Sequence, residues 1–297
     1  MKKIKLLCLL AVLILVTVIL FTGCESAQDD EVVLTYQTWT ESYILGDIFR
    51  IMIEEHTEIP LKIVELESFA LQFEAYKAEE VDIMLGYTSD IYMNVFGDTG
   101  LRDPDMVYDY VKEESKKEYN IIWLERLGFY NNYDLAVRSE VAEEYNLKTY
   151  SDLAEVSENL VIAADINFMD KPDAYPLLQE IYGMKFKEVK AVGVTLKYPI
   201  IANGEADVVN SYTTDAKIKE LGLKVLKDDK NAFPPYDASA MVRAEVLEKH
   251  PQLKEIFNKL AGKINTDEMR TMNYLVSVEH KNSEVVARDF LEKKGLI

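Results

Sequence analysis

Hydrophobic and polar positions follow two periods along this chain, and segments with one period alternate with segments of the other. Residues 61–66 alternate between apolar and polar, as a half-buried strand does. Apolar residues ahead of that strand share one helical face: Ile44, Leu45, Ile48, Phe49 and Met52. Residues 69–77 and the segment from Val246 to the C-terminus also have helical spacing. Further strands are predicted at residues 32–34, 81–85, 121–124, 135–137, 160–164, 192–194, 207–209 and 225–226. This alternation favours an α/β architecture with mostly parallel sheets.

The longest apolar run lies at the N-terminus, where Lys2, Lys3 and Lys5 precede residues 6–21. Its length of about 16 residues is short for a membrane span, which needs roughly 20. The run ends at Phe21-Thr22-Gly23-Cys24, a small-residue cleavage site followed by cysteine that resembles a bacterial lipobox. The pattern therefore predicts a secretion signal rather than an uncleaved anchor helix, which is the alternative.

Cleavage at that site sets the expected location of the mature chain. Residues 1–23 would be removed, and a lipid on Cys24 would hold the protein to the outer face of the cytoplasmic membrane. Residues 24–30 are polar and acidic and are predicted to form a tether to the folded part. We therefore expect the mature chain after Cys24 to function outside the cytoplasm.

Charge and cysteine content narrow the possible partners. The chain carries a formal net charge of −19, and the predicted signal removes three lysines and no acid, so the mature surface is more acidic still. Such a surface repels nucleic acid and anionic lipid, whereas a cationic or zwitterionic small ligand suits it. Cys8 leaves with the signal and Cys24 is the lipid site, so no disulfide is expected in spite of export.

Enzyme chemistry has no positive support in the sequence. The three histidines His56, His250 and His280 lie in contexts typical of surface or capping residues, and no nucleophile elbow, zinc-protease motif or phosphate loop is present. Carboxylates are abundant, but nothing singles out a pair for hydrolysis. We expect no cofactor and no metal site, although an extracytoplasmic hydrolase stays open as an alternative.

Four of the 18 tyrosines occur in turn-like or strand-end contexts, where a core residue would be less polar. The four are Tyr87 in GYTSD, Tyr133 in NNYD, Tyr212 in SYTTD and Tyr236 in PPYD. Ligands of open α/β sheets bind at strand ends, where three of these tyrosines are predicted. These positions are therefore candidate binding residues.

The segments around these tyrosines resemble the substrate-binding proteins of osmoprotectant ABC transporters, which serve glycine betaine, choline and carnitine. The resemblance runs from about Val33 to the C-terminus. Its motifs, in order, are TES with ILG at 40–46, GF and NY with LAVR at 128–138, SDL at 151–153, NGEADV at 203–208, TTD at 213–215, DDK at 228–230 and FPPYD at 233–237.

That resemblance implies a fold, a ligand cage and partners. The implied fold is α/β with two lobes that close like a flytrap, the type II periplasmic-binding-protein architecture, with ligand in the cleft between them. Tyr87, Tyr133, Tyr212 and Tyr236 match the four tyrosines that form the family's cage for a quaternary ammonium head. The implied partners are a membrane permease and its cytoplasmic ATPase; we also expect a monomer.

Physical chemistry supports an aromatic cage independently. A trimethylammonium group has no N–H, so carboxylate hydrogen bonds cannot select it, whereas ring faces attract a diffuse cation and pack against its methyl groups. Each such contact contributes about 0.5–2 kcal/mol, and more when it is desolvated, so four desolvated contacts together can reach micromolar affinity.

The other end of the ligand is where this chain departs from the resembled family. Many relatives have threonine at the position of Asp90, where it helps to hold the betaine carboxylate; members that prefer choline resemble this chain in having aspartate. A carboxylate repels a carboxylate but accepts a hydrogen bond from the hydroxyl of choline, so Asp90 predicts a preference for choline.

Two further polar residues are candidates with two interpretations each. Lys171 aligns with an arginine that binds the carboxylate in some relatives; it either balances Asp90 or is solvated. Gln37, which precedes a predicted Thr38-x-x-Glu41 capping box, is either a ligand contact or a plain loop residue.

We expect residues 31–137 and 238–297 to form lobe 1 and residues 138–237 to form lobe 2, with the hinge in residues 135–137 and 238–242. Choline preference leads the functional hypotheses, and a glycine betaine, carnitine or broad osmolyte receptor is the alternative. A receptor of the same fold for an amino acid also stays open, although it would want an arginine–carboxylate pair instead of a tyrosine cage.

Overall fold

Two five-stranded sheets organise the computed structural model, which describes residues 30–97, 100–170, 174–193, 196–233 and 235–297. The predicted signal peptide, the lipid site Cys24 and Lys171 lie outside the described residues. The α/β prediction is confirmed. Both sheets are mixed, however, rather than mostly parallel.

The first sheet has the strand order β2-β1-β3-β10-β4. Its strands are β1 (Val32–Gln37), β2 (Leu61–Leu66), β3 (Ile83–Tyr87), β4 (Ile121–Trp123) and β10 (Ala238–Arg243). Strand β1 runs parallel to β2 and β3, and β10 is antiparallel to both of its neighbours. Strand β10 comes late in the chain, yet it lies between β3 and β4, which precede it by more than 100 residues.

The second sheet has the order β7-β6-β8-β5-β9. Its strands are β5 (Tyr133–Val137), β6 (Val161–Asp165), β7 (Glu188–Val192), β8 (Val208–Tyr212) and β9 (Lys224–Val225). Strand β6 is parallel to β7 and β8, whereas β5 is antiparallel to β8 and β9.

Helices fill the connections between strands. Those before β5 are α1 (Thr40–His56), α2 (Phe69–Lys77), α3 (Thr88–Ile91) and α4 (Pro104–Tyr119). Those between β5 and β10 are α5 (Ser139–Glu144), α6 (Tyr150–Val156), α7 (Ile166–Asp170), α8 (Tyr175–Tyr182), α9 (Lys197–Ala202) and α10 (Ala216–Glu220). The C-terminal four are α11 (Ala244–Lys249), α12 (Gln252–Asn258), α13 (Thr266–Ser277) and α14 (Ser283–Lys293). A π-helical turn (Tyr92–Phe96) continues α3, and a 3-10 turn (Ser157–Asn159) follows α6.

Each sheet has its own hydrophobic core. The predicted apolar face of α1 is buried against the first sheet, and Phe49 meets Phe257 of α12 edge to face at 5.1 Å between ring centroids. Leu135, Ile162 and Phe168 belong to the separate core of the second sheet. A further cluster packs on the other face of each sheet, so each sheet is covered by its own apolar residues and can act as the body of one lobe.

Strand β5 and strand β10 differ from their predicted roles. The sequence placed residues 133–137 at the end of lobe 1, but β5 pairs within the second sheet. Residues 238–242, predicted as hinge, form the buried core of β10 in the first sheet. Residues 135–137 were predicted as a strand, so only the sheet they join was wrong, whereas no strand was predicted for β10, which is buried on both faces and shows no alternation.

The chain passes between the sheets just outside these strands. An isolated bridge joins Tyr130 to Asp237, and the Asn131 amide donates to the Tyr236 carbonyl at 3.0 Å. These residues form two adjacent crossover segments, 128–132 and 235–237. None of the helices in the described part of the chain is both long and apolar enough to cross a membrane.

Candidate ligand-binding site

A cavity of about 770 Å³ lies between the two sheets, and both sheets contribute to its wall. All four predicted tyrosines and Asp90 line it. Its other lining residues are Trp39, Thr40, Glu41, Met93, Asn94, Asn131, Thr214, Asp215, Ala216, Asn273 and Ser277. Gln37 lies at the end of β1, where its backbone amide donates to the Ser42 hydroxyl at 2.8 Å, and it is not among the lining residues.

Tyr133 and Tyr212 form the wall that belongs to the second sheet. They are directly opposite each other in the antiparallel β5–β8 pair, so their side chains leave the same face of the sheet. Their rings stack at 5.1 Å between centroids with 22° between planes. Phe168 and Phe233 pack against Tyr133 from behind, whereas Tyr212 is 43% exposed. The sheet register therefore builds a two-ring platform with one open face.

Tyr87 forms the opposite wall at the end of β3. It is only 5% exposed, and its ring packs between Trp39 and Phe129 at 6.2 and 6.5 Å between centroids. The preceding Gly86 permits this position, because a Cβ there would lie 2.2 Å from the Met241 sulfur of the neighbouring strand. Tyr87 is thus fixed by the first sheet and by the rings beside it.

Tyr236 enters the cavity from the second crossover segment. Its backbone amide donates to Asn132 Oδ1 at 2.8 Å. The adjacent Pro235 carbonyl accepts hydrogen bonds from the hydroxyls of Thr88 and Ser89 at 2.7 and 2.5 Å. These contacts attach the Tyr236 segment to the start of α3, directly after Tyr87.

Glu41 is a cavity residue that the sequence analysis missed. It is 1% exposed and accepts hydrogen bonds from Tyr87 Oη at 2.5 Å, Asn131 Nδ2 at 3.1 Å and Asn273 Nδ2 at 2.7 Å. Burial is the main cause of its raised pKa, and the hydrogen bonds oppose that rise.

The predicted capping box at Thr38 is wrong. Helix α1 begins at Thr40, and its N-cap residue is Trp39, which makes no side-chain capping bond. The Glu41 carboxylate points to its donors in the cavity wall instead of to the helix terminus. The available sequence signal was an acidic residue inside the otherwise apolar face of α1.

Asp90 lies in α3, one helical turn after Tyr87. Burial raises its pKa to about 6, and no described side chain donates a hydrogen bond to its carboxylate. The group is therefore mostly ionised at neutral pH and open to a donor or a cation that enters the cavity.

The charged residues in the described cavity wall, Glu41, Asp90 and Asp215, are all acidic. No group of three or more metal-ligating side chains occurs in the described ranges of the chain. Aromatic faces and carboxylates without a basic partner suit an organic cation with a polar end, because both elements attract positive charge.

Comparison with known proteins agrees with this chemistry. Residues 30–293 match the family OpuAC, described as the substrate binding domain of ABC-type glycine betaine transport system. The chain belongs to this family. Its two-lobed α/β fold is therefore the flytrap type that the sequence resemblance implied.

Three OpuAC-type relatives illustrate the range of the family. The chain is 35% identical to the carnitine transport binding protein OpuCC of Listeria monocytogenes, over 99% of this chain and 98% of that protein. It is 34% identical to the ergothioneine transport permease/ergothioneine binding protein EgtU of Helicobacter pylori, over 92% of this chain but 49% of that protein. A crystal structure of a glycine betaine/carnitine/choline ABC transporter protein superimposes with a TM-score of 0.85 at 34% identity, over 89% of this chain and 99% of that one. These relatives are transport binding proteins, and the chain is an OpuAC-type substrate-binding protein of an ABC importer.

Proposed function

We propose that this protein captures quaternary ammonium osmolytes outside the cell and prefers choline to glycine betaine. The observation that carries the proposal is the cavity wall itself, in which four tyrosines surround a space whose charged residues are all acidic. Tyrosine faces attract the trimethylammonium head. Carboxylates attract its charge but repel a ligand carboxylate.

Asp90 supports the preference for choline. Its carboxylate has no donor among the described side chains, so the hydroxyl of choline would supply a hydrogen bond that it lacks. Glycine betaine would bring a second carboxylate to the same place at an energetic cost. Carnitine carries both groups and should fall between the two.

The lobes and the tether complete the proposed cycle. The first sheet carries Tyr87 and the second carries Tyr133 and Tyr212, so ligand contacts with both would favour a closed state. The closed protein would deliver its ligand to a membrane permease powered by a cytoplasmic ATPase. A lipid on Cys24 would keep the receptor at that surface and raise its effective concentration there.

Calorimetric titration of the purified protein tests the ligand class. Choline, glycine betaine, carnitine, ergothioneine and an amino-acid mixture are compared at neutral pH. We expect choline to bind with micromolar affinity, because four ring contacts each contribute about 2 kcal/mol or more once closure has desolvated them. Binding weaker than about millimolar by every quaternary amine would exclude the cage, and tight binding by ergothioneine alone would contradict the preference for choline.

The Asp90→Thr variant tests the preference. Introducing threonine should improve glycine betaine binding relative to choline by about tenfold, which corresponds to about 1.4 kcal/mol. Asp289→Thr is the matched control, because Asp289 is exposed on α14 and remote from the cavity. An unchanged ratio in Asp90→Thr would remove Asp90 from the selection.

The lipid anchor is tested separately. Cys24→Ser should abolish labelling by radioactive fatty acid, while ligand affinity stays unchanged. A wild-type protein that takes up no label and keeps residues 1–23 would support an uncleaved anchor helix instead.

A further inference from the structure

Glu41 lies where four separate parts of the chain meet. Its carboxylate accepts hydrogen bonds from Tyr87 at the end of β3, from Asn131 in the first crossover segment and from Asn273 in α13. A hydrogen bond with Thr214, which follows β8, also lowers its pKa. In a sequence of 297 residues, donors at positions 87, 131, 214 and 273 thus converge on one buried side chain.

The same group connects the two lobes. Asn273 Nδ2 donates both to Glu41 Oε2 at 2.7 Å and to the Thr214 carbonyl at 3.0 Å. One turn earlier in α13, Arg270 Nε and Nη2 donate to the Thr213 carbonyl at 3.0 and 2.6 Å. Thr213 and Thr214 directly follow Tyr212 of the second sheet. A chain of hydrogen bonds therefore connects Tyr87, through Glu41 and Asn273, to the segment that follows Tyr212.

Glu41 also fixes the orientation of two amides. Asn131 and Asn273 both direct their Nδ2 atoms to Glu41, and each leaves a buried Oδ1 atom without a hydrogen bond in the described part of the protein. Buried carbonyl oxygens are nearly always paired. Rotating either amide would place its oxygen against the carboxylate, so Glu41 holds both in an arrangement that costs free energy.

We propose that Glu41 is a positioning residue that couples an occupied tyrosine cage to closure of the two lobes; this inference rests on the proposed function. The carboxylate holds the Tyr87 ring against the cavity and aims the Asn273 amide at the lobe 2 backbone. A ligand that presses on Tyr87 thereby stabilises the hydrogen bond to Thr214. Without the carboxylate, the ligand would still contact four rings, but the hydrogen bond between Asn273 and the Thr214 carbonyl would no longer be held in place.

Glu41→Gln is the decisive variant, because glutamine has the same size but replaces one acceptor oxygen with a donor group. Glu54→Gln is the matched control, since Glu54 lies in the same helix and is exposed. The full chain is purified in detergent and titrated with choline. Hydrogen–deuterium exchange is then followed in the segment containing Thr213 and Thr214 at saturating choline.

We expect Glu41→Gln to bind choline at least tenfold more weakly, with faster dissociation. Saturating choline should slow exchange in that segment by less than half as much as in the wild type, while Glu54→Gln behaves as the wild type. A merely structural defect would weaken affinity yet give full protection at saturation. Full protection in Glu41→Gln would therefore overturn the coupling.

Two further results keep the outcome decisive. If Glu41→Gln does not fold, Asn273→Ala removes the bridge to Thr214 and leaves the bond between Glu41 and Tyr87; full protection in that variant also overturns the proposal. If the wild type binds choline and Glu41→Gln matches it, the coupling alone fails. If the wild type binds no quaternary amine, the proposed function fails and the coupling with it.

Discussion

The two tyrosine walls of the cavity are built in different ways. Tyr87 in the first sheet is 5% exposed, packed between two rings and hydrogen-bonded to a buried carboxylate. Tyr212 in the second sheet is 43% exposed and has a stacked partner, Tyr133, on one face. The first wall is set before any ligand arrives, whereas the second presents a ring face that a ligand must cover.

This difference indicates how a two-lobed receptor divides its work. A preorganised wall lowers the entropy lost on binding, because its rings need no rearrangement. An exposed wall gains most when it is desolvated by closure, since cation–π attraction strengthens in a dry site. The first wall should therefore determine whether the ligand binds, and the second how tightly the closed state holds it.

The largest difference between the two walls should appear when a tyrosine of each is replaced by alanine and choline affinity is measured. Tyr87→Ala should weaken choline binding about 100-fold, or about 3 kcal/mol, because it removes a ring face and a donor to buried Glu41. Tyr212→Ala removes an exposed ring and should cost about tenfold. Calorimetry with both variants measures the contrast, and equal losses would contradict unequal walls.

Removing only the hydroxyl sharpens the comparison. Tyr87→Phe leaves Glu41 with one donor fewer, so the free energy of unfolding should fall by about 1–3 kcal/mol and choline affinity by a few-fold. Tyr212→Phe should change the stability by less than about 0.5 kcal/mol, since its side chain is partly in water. Urea denaturation checks both. A greater loss from Tyr212→Phe would reverse the assignment.

Acid should affect binding through the first wall. The pKa of Asp90 is raised to about 6, so the carboxylate is mostly charged at pH 7 and mostly neutral at pH 5. Choline affinity should therefore fall several-fold between these values, as the attraction to the ligand cation is lost. Titrations of wild type and Asp90→Asn at both pH values measure this, and the variant should lack that part of the change.

Stability should change in the opposite direction. Because the folded-state pKa of Asp90 lies above its unfolded value near 3.9, the folded protein binds more protons between about pH 4 and 6. The contribution of Asp90 to stability therefore increases as the pH falls through this window. Denaturation of ligand-free wild type should show this relative to Asp90→Asn, and a parallel response of the two proteins would contradict it.

The smallest effect concerns Trp39, which stands at the edge of the first wall and is 36% exposed. Trp39→Phe should weaken choline binding by about two- to threefold, because the partly hydrated ring adds little attraction. The fluorescence change of Trp39 on choline binding should disappear in this variant. A tenfold loss of affinity would mean that Trp39 is a full member of the cage.

Sequence patterns predicted strands at the buried β3 and β5 as well as at the alternating β2, but none at β10. The predicted helix at 69–77 matches α2, and the predicted strand at 61–66 matches β2. Residues 238–242 were assigned to the hinge, whereas in the structure they form β10 and are buried on both faces of the first sheet. The register of β5 against β8, which brings Tyr133 to Tyr212, is a tertiary property that no local window contains.

Glu41 shows the same limit at the site. Locally, a threonine three residues before a glutamate fits a capping box. The donors to the carboxylate lie 46, 90 and 232 residues away in sequence. A local sequence pattern contains no information on such long-range contacts, so it predicted a cap where the carboxylate binds these donors. The tyrosines were found because their turn-like contexts were unusual for core residues, and the resemblance then grouped them.

The twofold crossing of the chain has a consequence for how such receptors can diversify. Tyr133 and Tyr212 lie on one continuous segment, whereas Tyr87, Asp90 and Tyr236 stay outside it. An exchange of residues 133–233 between two homologous receptors would renew the stacked platform together with Asp215 and Lys171, yet leave Asp90 and Tyr87 unchanged. Such a hybrid should inherit its choice of osmolyte from the parent that supplied the outer segments. Recombination within this fold can thus change the affinity through the exchanged segment, while the preference among osmolytes stays with the outer segments.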